Sequence, residues 1–208
     1  MKNILVLAPH IDDGEFGCGG TIARMIEEGN RVWYAAFSNA DKTMKTKGLN
    51  GLDLENELHC AISKIGVNES NVVINNFPVR EFPTYRQDIL DAMIRIKSME
   101  NFDTIFLPSS YDTHQDHQVV RNEGFRAFKG YTILGYELPW NCTRFETSYF
   151  VKLDFRHIEL KTKAIECYRS QLDRAYCTAE FIQSLAKVRG LQAGTDLAEA
   201  FEVIRVVV

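Results

Sequence analysis

Three of the five histidines in this chain of 208 residues lie in two short clusters, Ala8-Pro9-His10-Ile11-Asp12-Asp13-Gly14-Glu15 and Asp112-Thr113-His114-Gln115-Asp116-His117. Imidazole nitrogens and carboxylate oxygens are ligands for zinc or iron(II), and a spare carboxylate beside such a metal can act as a general base. A catalytic metal takes about three protein ligands and keeps a position open for water. Adjacent aspartates diverge on a strand and on a helix alike, so Asp12 and Asp13 can divide the work, one binding metal and one facing the attacking water. Of His114 and His117, one is left for the metal and one to stabilise charge developing on an oxygen. Asp116 is placed to hold one of those rings. Spacing alone does not say which histidine takes which part.

These residues need elements to bring them together. Ile4–Ala8 and Thr104–Leu107 are short apolar runs of the kind that form strands covered on both faces, and each runs directly into one cluster. Val32–Phe37, Val72–Ile74 and Thr132–Tyr136 read as further strands. Between them lie helical patterns: one opened by Gly19 and Gly20 and carrying Ile22, Met25 and Ile26, one through Leu54, Leu58, Ala61 and Ile62, one through Ile89, Leu90, Met93 and Ile94, and one near 119–128. This alternation predicts an α/β fold, a Rossmann-like, mostly parallel sheet of order 3-2-1-4-5 with helices on both faces. In that order strands one and four are neighbours at the switch point, beyond whose carboxyl ends ligands bind. The two clusters then become halves of one site. Tyr149–Val151 and Glu202–Val207 read as additional C-terminal strands, with two helical patterns between them. The polar segment Ser38–Gly51 reads as a loop. With no repeat, linker or low-complexity tract, residues 1–208 read as one domain.

Bulk properties narrow the function. Hydrophobic residues make up 45% and charged residues 25%, as in ordinary soluble proteins, and the net charge of −4 offers no broad basic face for nucleic acid. No apolar stretch reaches membrane-spanning length or forms a signal h-region, which points to a cytoplasmic protein. Cys18, Cys60, Cys142, Cys167 and Cys177 are scattered and odd in number, and suggest neither a disulfide framework nor a zinc finger. They read as small apolar residues of a reducing compartment.

With these residues in view, the chain resembles the LmbE/PIG-L family of metal-dependent N-acetylglucosaminyl de-N-acetylases. Ala8-Pro9-His10-Ile11-Asp12-Asp13 keeps the spacing of the family's A-H-P-D-D-E signature, with Ile11 where proline is usual and Gly14 where glutamate is frequent. His114-Gln115-Asp116-His117 matches its H-x-D-H signature. Lys163-Ala164-Ile165 with Tyr168-Arg169-Ser170-Gln171, then Arg189-Gly190 and Ala198-Glu199-Ala200-Phe201, resemble its later segments. The resemblance implies His10, Asp13 and His117 as metal ligands, Asp12 as general base, His114 as oxyanion partner and Asp116 as the residue orienting it. It implies one divalent ion, Zn2+ before Fe2+, and a small amino-sugar substrate that loses an N-acetyl group. The substrate's other group is expected to be chosen by Ser38–Gly51 and the segment after Pro139.

The rival reading is a non-catalytic nucleotide- or metal-binding module. Gly14, Gly17, Gly19 and Gly20 do not fit G-x-G-x-x-G, since Ile22 stands in the last place, and strand two ends in Phe37-Ser38 without an acidic residue. A two-metal phosphoesterase would need more ligands. Among single residues, Arg189 fits a structural ion pair and a substrate contact equally. His59 and His157 read as surface or packing residues, and Trp33 as core. Trp140 reads as structural first and as a sugar-pocket wall second.

Overall fold

Each residue of the first strand alternates between two apolar layers, and that alternation explains the architecture. The computed structural model describes residues 1–39 and 51–208, the backbone alone at 51–53. In β1 (Asn3–His10), Ile4, Val6 and Ala8 join one core cluster, while Leu5 and Leu7 join the other. A strand buried on both sides reads as a continuous apolar run because both faces of the pleat meet helices. Burying each such aliphatic side chain contributes about 1.5–3 kcal/mol.

The remaining elements follow in order: α1 (Asp13–Glu27), β2 (Arg31–Ser38), α2 (Gly51–Lys64), β3 (Val72–Ile74), α3 (Arg86–Lys97), β4 (Thr104–Pro108), α4 (Gln115–Ala127), β5 (Thr132–Tyr136), β6 (Tyr149–Lys152), α5 (Phe155–Ile165), α6 (Ala179–Ala193) and β7 (Ala198–Arg205). All seven strands form one sheet of order β3-β2-β1-β4-β5-β7-β6. The first five are parallel, and β7 runs antiparallel to both β5 and β6. Helices α1, α2, α5 and α6 cover one face around Ile22, Leu58, Ile158 and Ile182. Helices α3 and α4 cover the other around Ile89, Met93 and Val120. The expected order and the two-sided cover are both present.

Several local expectations change. Helix α1 begins at Asp13, breaks at Cys18, whose φ of −148° is not helical, and resumes at Gly19, so the expected opening at Gly19 and Gly20 is that of its second segment. The glycines of the first segment serve close packing: a Cβ at Gly17 would stand 2.2 Å from the Tyr136 ring. Helix α4 starts four residues before 119 because His114 caps it, its ring accepting from the Asp116 N–H at 3.2 Å. Strand β7 begins at Ala198, so Glu199 and Phe201 lie inside the sheet. Cys60 and Cys167 do not stay apart as free thiols. Their Cα atoms are 5.9 Å apart and a disulfide joins α2 to the turn after α5. The fold, and not any local spacing, makes them neighbours. Nearly all of Ser38–Gly51, expected as a loop, lies outside the described residues.

Candidate active site

His10 is the last residue of β1, and Asp12 and Asp13 lie where β1 passes into α1. Strands β1 and β4 pair directly, so the loop after β4 opens beside them and delivers Asp112, His114, Asp116 and His117 to the same crevice. Asp112 is tied down by a bridge to Cys142, and Thr113 donates its N–H to the Asn141 carbonyl at 3.0 Å. The two clusters do converge.

Three atoms meet at the centre. His10 Nδ1 lies 3.1 Å from Asp13 Oδ2, His117 Nε2 lies 3.2 Å from the same oxygen, and the two ring nitrogens are 3.3 Å apart. Zinc bond lengths of about 2.0–2.1 Å in a tetrahedron put neighbouring ligand atoms about 3.3 Å apart, so this triangle fits one ion. The far ring nitrogens are engaged elsewhere: His10 Nε2 with Asp116 Oδ2 at 3.0 Å and His117 Nδ1 with Asp112 Oδ2 at 2.8 Å. Each carboxylate fixes its ring as the donor on the far side and turns a lone pair inward, the arrangement typical around metal-binding imidazoles. Three such acceptors facing one another repel unless protons or a metal cation lie between them.

The nitrogens of His10, His114 and His117 also come within 4.8 Å of one another and form a second candidate set. We favour the set with Asp13, because its edges match a metal coordination sphere and because His114 Nδ1 is already occupied by the Asp116 N–H. That bond leaves the proton of neutral His114 on Nε2, as a donor. Burial, followed by the charges of His117 and His10, holds the His114 pKa below the ordinary imidazole value, which keeps it a neutral donor.

The electrostatics agree. Burial alone would lower both inward-facing rings. Hydrogen bonds to Asp116 and Asp13 instead lift His10 to about 9, and the Asp13 and Asp112 carboxylates lift His117 to about 10. Asp13 is pulled well below the carboxylate range by His117 and His10, against its own burial. The site is built to hold positive charge. Asp12 is 9% exposed, and burial with the Asp13 charge beside it raises its pKa to about 6. The Asp12 side chain makes no helix-capping bond and lines the crevice, within the field of the Arg174 charge.

Other expectations sort out plainly. Asp116 does not hold the His114 ring with its carboxylate; it holds His10, and touches His114 only through its backbone N–H. Glu15 is a fully buried hub, taking Tyr34 Oη at 2.5 Å and Tyr168 Oη at 2.8 Å, with burial raising its pKa to about 8. Arg189 is structural, holding both oxygens of Glu137 at 2.6 Å. Lys161, two residues before the lysine singled out in the sequence, is buried and donates to Glu199 and to the Phe16 carbonyl. His157 is buried and pairs with Glu27 at 2.6 Å, while His59 is more exposed and faces Glu69. Trp33 packs edge-on against Phe102.

The crevice is walled by residues that the sequence did not mark. These are Arg80, Asn141, Gln171 and Arg174, and with them stands Trp140, whose second reading as a pocket wall fits its place there, stacked on Tyr176 at 3.8 Å. The open space holds about 220 Å³. Asp112 belonged to the second cluster but had no assigned part. The crevice that gives the wall residues their place is assembled from segments far apart in the chain, which no local spacing signals.

A seven-stranded, mostly parallel sheet with a polar crevice at the ends of β1 and β4 defines the class of an α/β protein with a candidate metal site. The sequence places it further: residues 5–128 match the profile of the PIG-L family, described as GlcNAc-PI de-N-acetylase, and the chain belongs to that family. It is 26% identical over 175 residues to a protein of Escherichia coli K12 named as the uncharacterized deacetylase YaiS, covering 81% of this chain and 91% of that one. The N,N'-diacetylchitobiose deacetylase of Pyrococcus horikoshii superposes with a TM-score of 0.81 at 23% identity, covering 98% of this chain and 84% of the other. The 4-carboxy-2-hydroxymuconate hydratase GalB of Pseudomonas putida KT2440 superposes with a TM-score of 0.77 at 19% identity, covering 100% and 98%. At those identities the likeness establishes the fold, and one fold carries both an amide hydrolase and a hydratase. Among the described residues no helix is long and apolar enough to cross a membrane.

Proposed function

We propose that this protein is a metal-dependent N-deacetylase that removes the acetyl group from an N-acetylglucosamine-type conjugate, with His10, Asp13 and His117 holding the ion. The acceptor triangle beside the Asp12 carboxylate carries the reading. Family membership and the deacetylase relatives support the bond to be cut. Zinc or iron(II) bound there would polarise the amide carbonyl and lower the pKa of water.

The chain's own residues supply the rest. Asp12, with a pKa of about 6, suits a group that takes the proton of the attacking water and returns it to the leaving nitrogen. The His114 Nε2–H donates to the oxygen that gains charge as the carbonyl carbon becomes tetrahedral. Asp116 and Asp112 keep His10 and His117 aimed. The C–O bond forms, the C–N bond breaks, and acetate leaves with a free amine. The soluble, cytoplasmic setting and single-domain organisation expected from the sequence complete this reading.

Asp12→Asn tests it. Acetate release should fall by at least about a hundredfold, the usual scale for a general base, while elemental analysis still finds about one metal ion per chain, the number the triangle accommodates. Turnover at the wild-type rate in Asp12→Asn would refute the assignment. Metal bound without acetate release from any N-acetylated sugar would favour the non-catalytic module.

A further inference from the structure

The pocket contains two arginines without the carboxylate partners that a structural arginine such as Arg189 has. The Arg80 guanidinium makes no ion pair or hydrogen bond among the described residues, and that of Arg174 hydrogen-bonds the Tyr176 hydroxyl and feels the Asp12 charge without forming an ion pair with it. Both line the crevice of the acceptor triangle.

The backbone at Arg80 shows that its place is enforced. Its φ of +67° is the sole positive value at a non-glycine among the described residues. A left-handed residue with a Cβ costs about 1–2 kcal/mol, and glycine would turn the chain there without that cost. Such strain persists where surrounding structure over-determines it. Here the Arg80 N–H donates to Asp116 Oδ2 at 2.6 Å and the Phe82 N–H to Asp116 Oδ1 at 3.3 Å. Gln115 Nε2 donates to the Arg80 carbonyl at 3.4 Å. The carboxylate that orients His10 thus also straps the turn that carries Arg80 to the pocket.

We infer that the pocket selects amino-sugar conjugates bearing an anionic group, carboxylate or phosphate, with Arg80 and Arg174 as the specificity-determining cations. The inference rests on the deacetylase reading for the sugar and on the two guanidinia for the charge. Guanidinium groups bind such oxyanions through paired, charge-assisted hydrogen bonds, which a neutral aglycone cannot accept.

The zinc-loaded protein should be assayed on three N-acetylglucosamine derivatives: the neutral methyl glycoside, the carboxymethyl glycoside and the 1-phosphate. One or both anionic substrates should exceed the neutral one by at least about tenfold in kcat/KM, chiefly through KM, and the preferred anion separates carboxylate from phosphate. Arg80→Asn, which tolerates a left-handed backbone, and Arg174→Met should each reduce that preference at least about fivefold, with Arg80→Lys recovering part of it. Calorimetry with the three corresponding free amines reads the same preference without turnover. If no substrate is deacetylated but the anionic amines bind more tightly through the arginines, the anion site stands and the deacetylase reading fails. Equal binding of neutral and anionic ligands, or an undiminished preference in both arginine variants, would overturn the inference.

Discussion

Gln171 and Asp12 face the same crevice with opposite deficits. Asp12 is a carboxylate raised to about 6 by burial and by Asp13, whereas Gln171 is 7% exposed and its Oε1 has no hydrogen-bond partner. An orphaned buried acceptor costs about 1–3 kcal/mol, so its retention in a pocket suggests that a ligand donor satisfies it. Gln171→Leu keeps the volume and removes the acceptor. We expect a melting temperature equal to or above wild type together with a KM raised about tenfold, measured by calorimetry and steady-state kinetics; a lowered melting temperature with an unchanged KM would make Gln171 a packing residue. Residues at this scale were unequally legible. His10, Asp12, Asp13, His114 and His117 were readable because each sits within a few positions of another chemistry-bearing group, at the end of an apolar run. Arg80, Gln171 and Arg174 were not, because each takes its meaning from a crevice whose other walls come from elsewhere in the chain; Asp112 lay in the second cluster, but its spacing to His117 did not say that it holds that ring. Asp116 was noticed, but its carboxylate reaches His10, 106 positions away, instead of its near neighbour His114.

At the level of elements, α1 shows how a packing requirement can pass for a boundary signal. Glycines at 14 and 17 look like the loop before a helix, yet they lie in the first segment of α1, and only Gly19 and Gly20 open a segment, past the kink at Cys18. Gly14 lies against Tyr34 and Gly17 against Tyr136, whose hydroxyl donates to the Leu7 carbonyl at 3.0 Å and so fixes the ring. Two effects compete in Gly17→Ala. Helix propensity favours alanine by about 1 kcal/mol, while forcing a Cβ to within 2.2 Å of a pinned ring carbon costs about 1–3 kcal/mol in strain. The clash should win. Chemical denaturation should show a net loss of up to about 2 kcal/mol, and activity should fall with it, because α1 carries Asp13 in its first turn. A stabilised variant would mean that α1 can move away from β5 at little cost. The same long-range logic hid the Cys60–Cys167 disulfide, which spans 107 positions. Periodicity, by contrast, was a sound guide to β1 and β4, whose uninterrupted apolar runs have one physical explanation.

Across the whole molecule, the parallel order β3-β2-β1-β4-β5 sets two strand ends side by side, and the charges gathered there tie metal binding to stability. In the metal-free protein His10 and His117 are held at about 9 and about 10, above imidazole's ordinary 6.5, by carboxylates that outweigh burial. The sign follows directly. A raised native pKa adds stability that is complete below pH 6.5, the ordinary value, and is lost as pH rises through about 9 and 10. A metal must displace those protons, so its affinity grows with pH over the range where the bare site weakens. Zinc at a hundredfold its Kd should stabilise the fold by about 2.7 kcal/mol, or roughly 5–11 °C in a chain of this size. We expect the zinc-dependent rise in melting temperature, read by differential scanning calorimetry, to be larger at pH 8 than at pH 6, to disappear on chelation, and to be absent in His117→Ala. An equal rise at both pH values, or its survival in His117→Ala, would place the metal somewhere other than the triangle of His10, Asp13 and His117, and the strand order would then have gathered these charges for some purpose other than holding an ion.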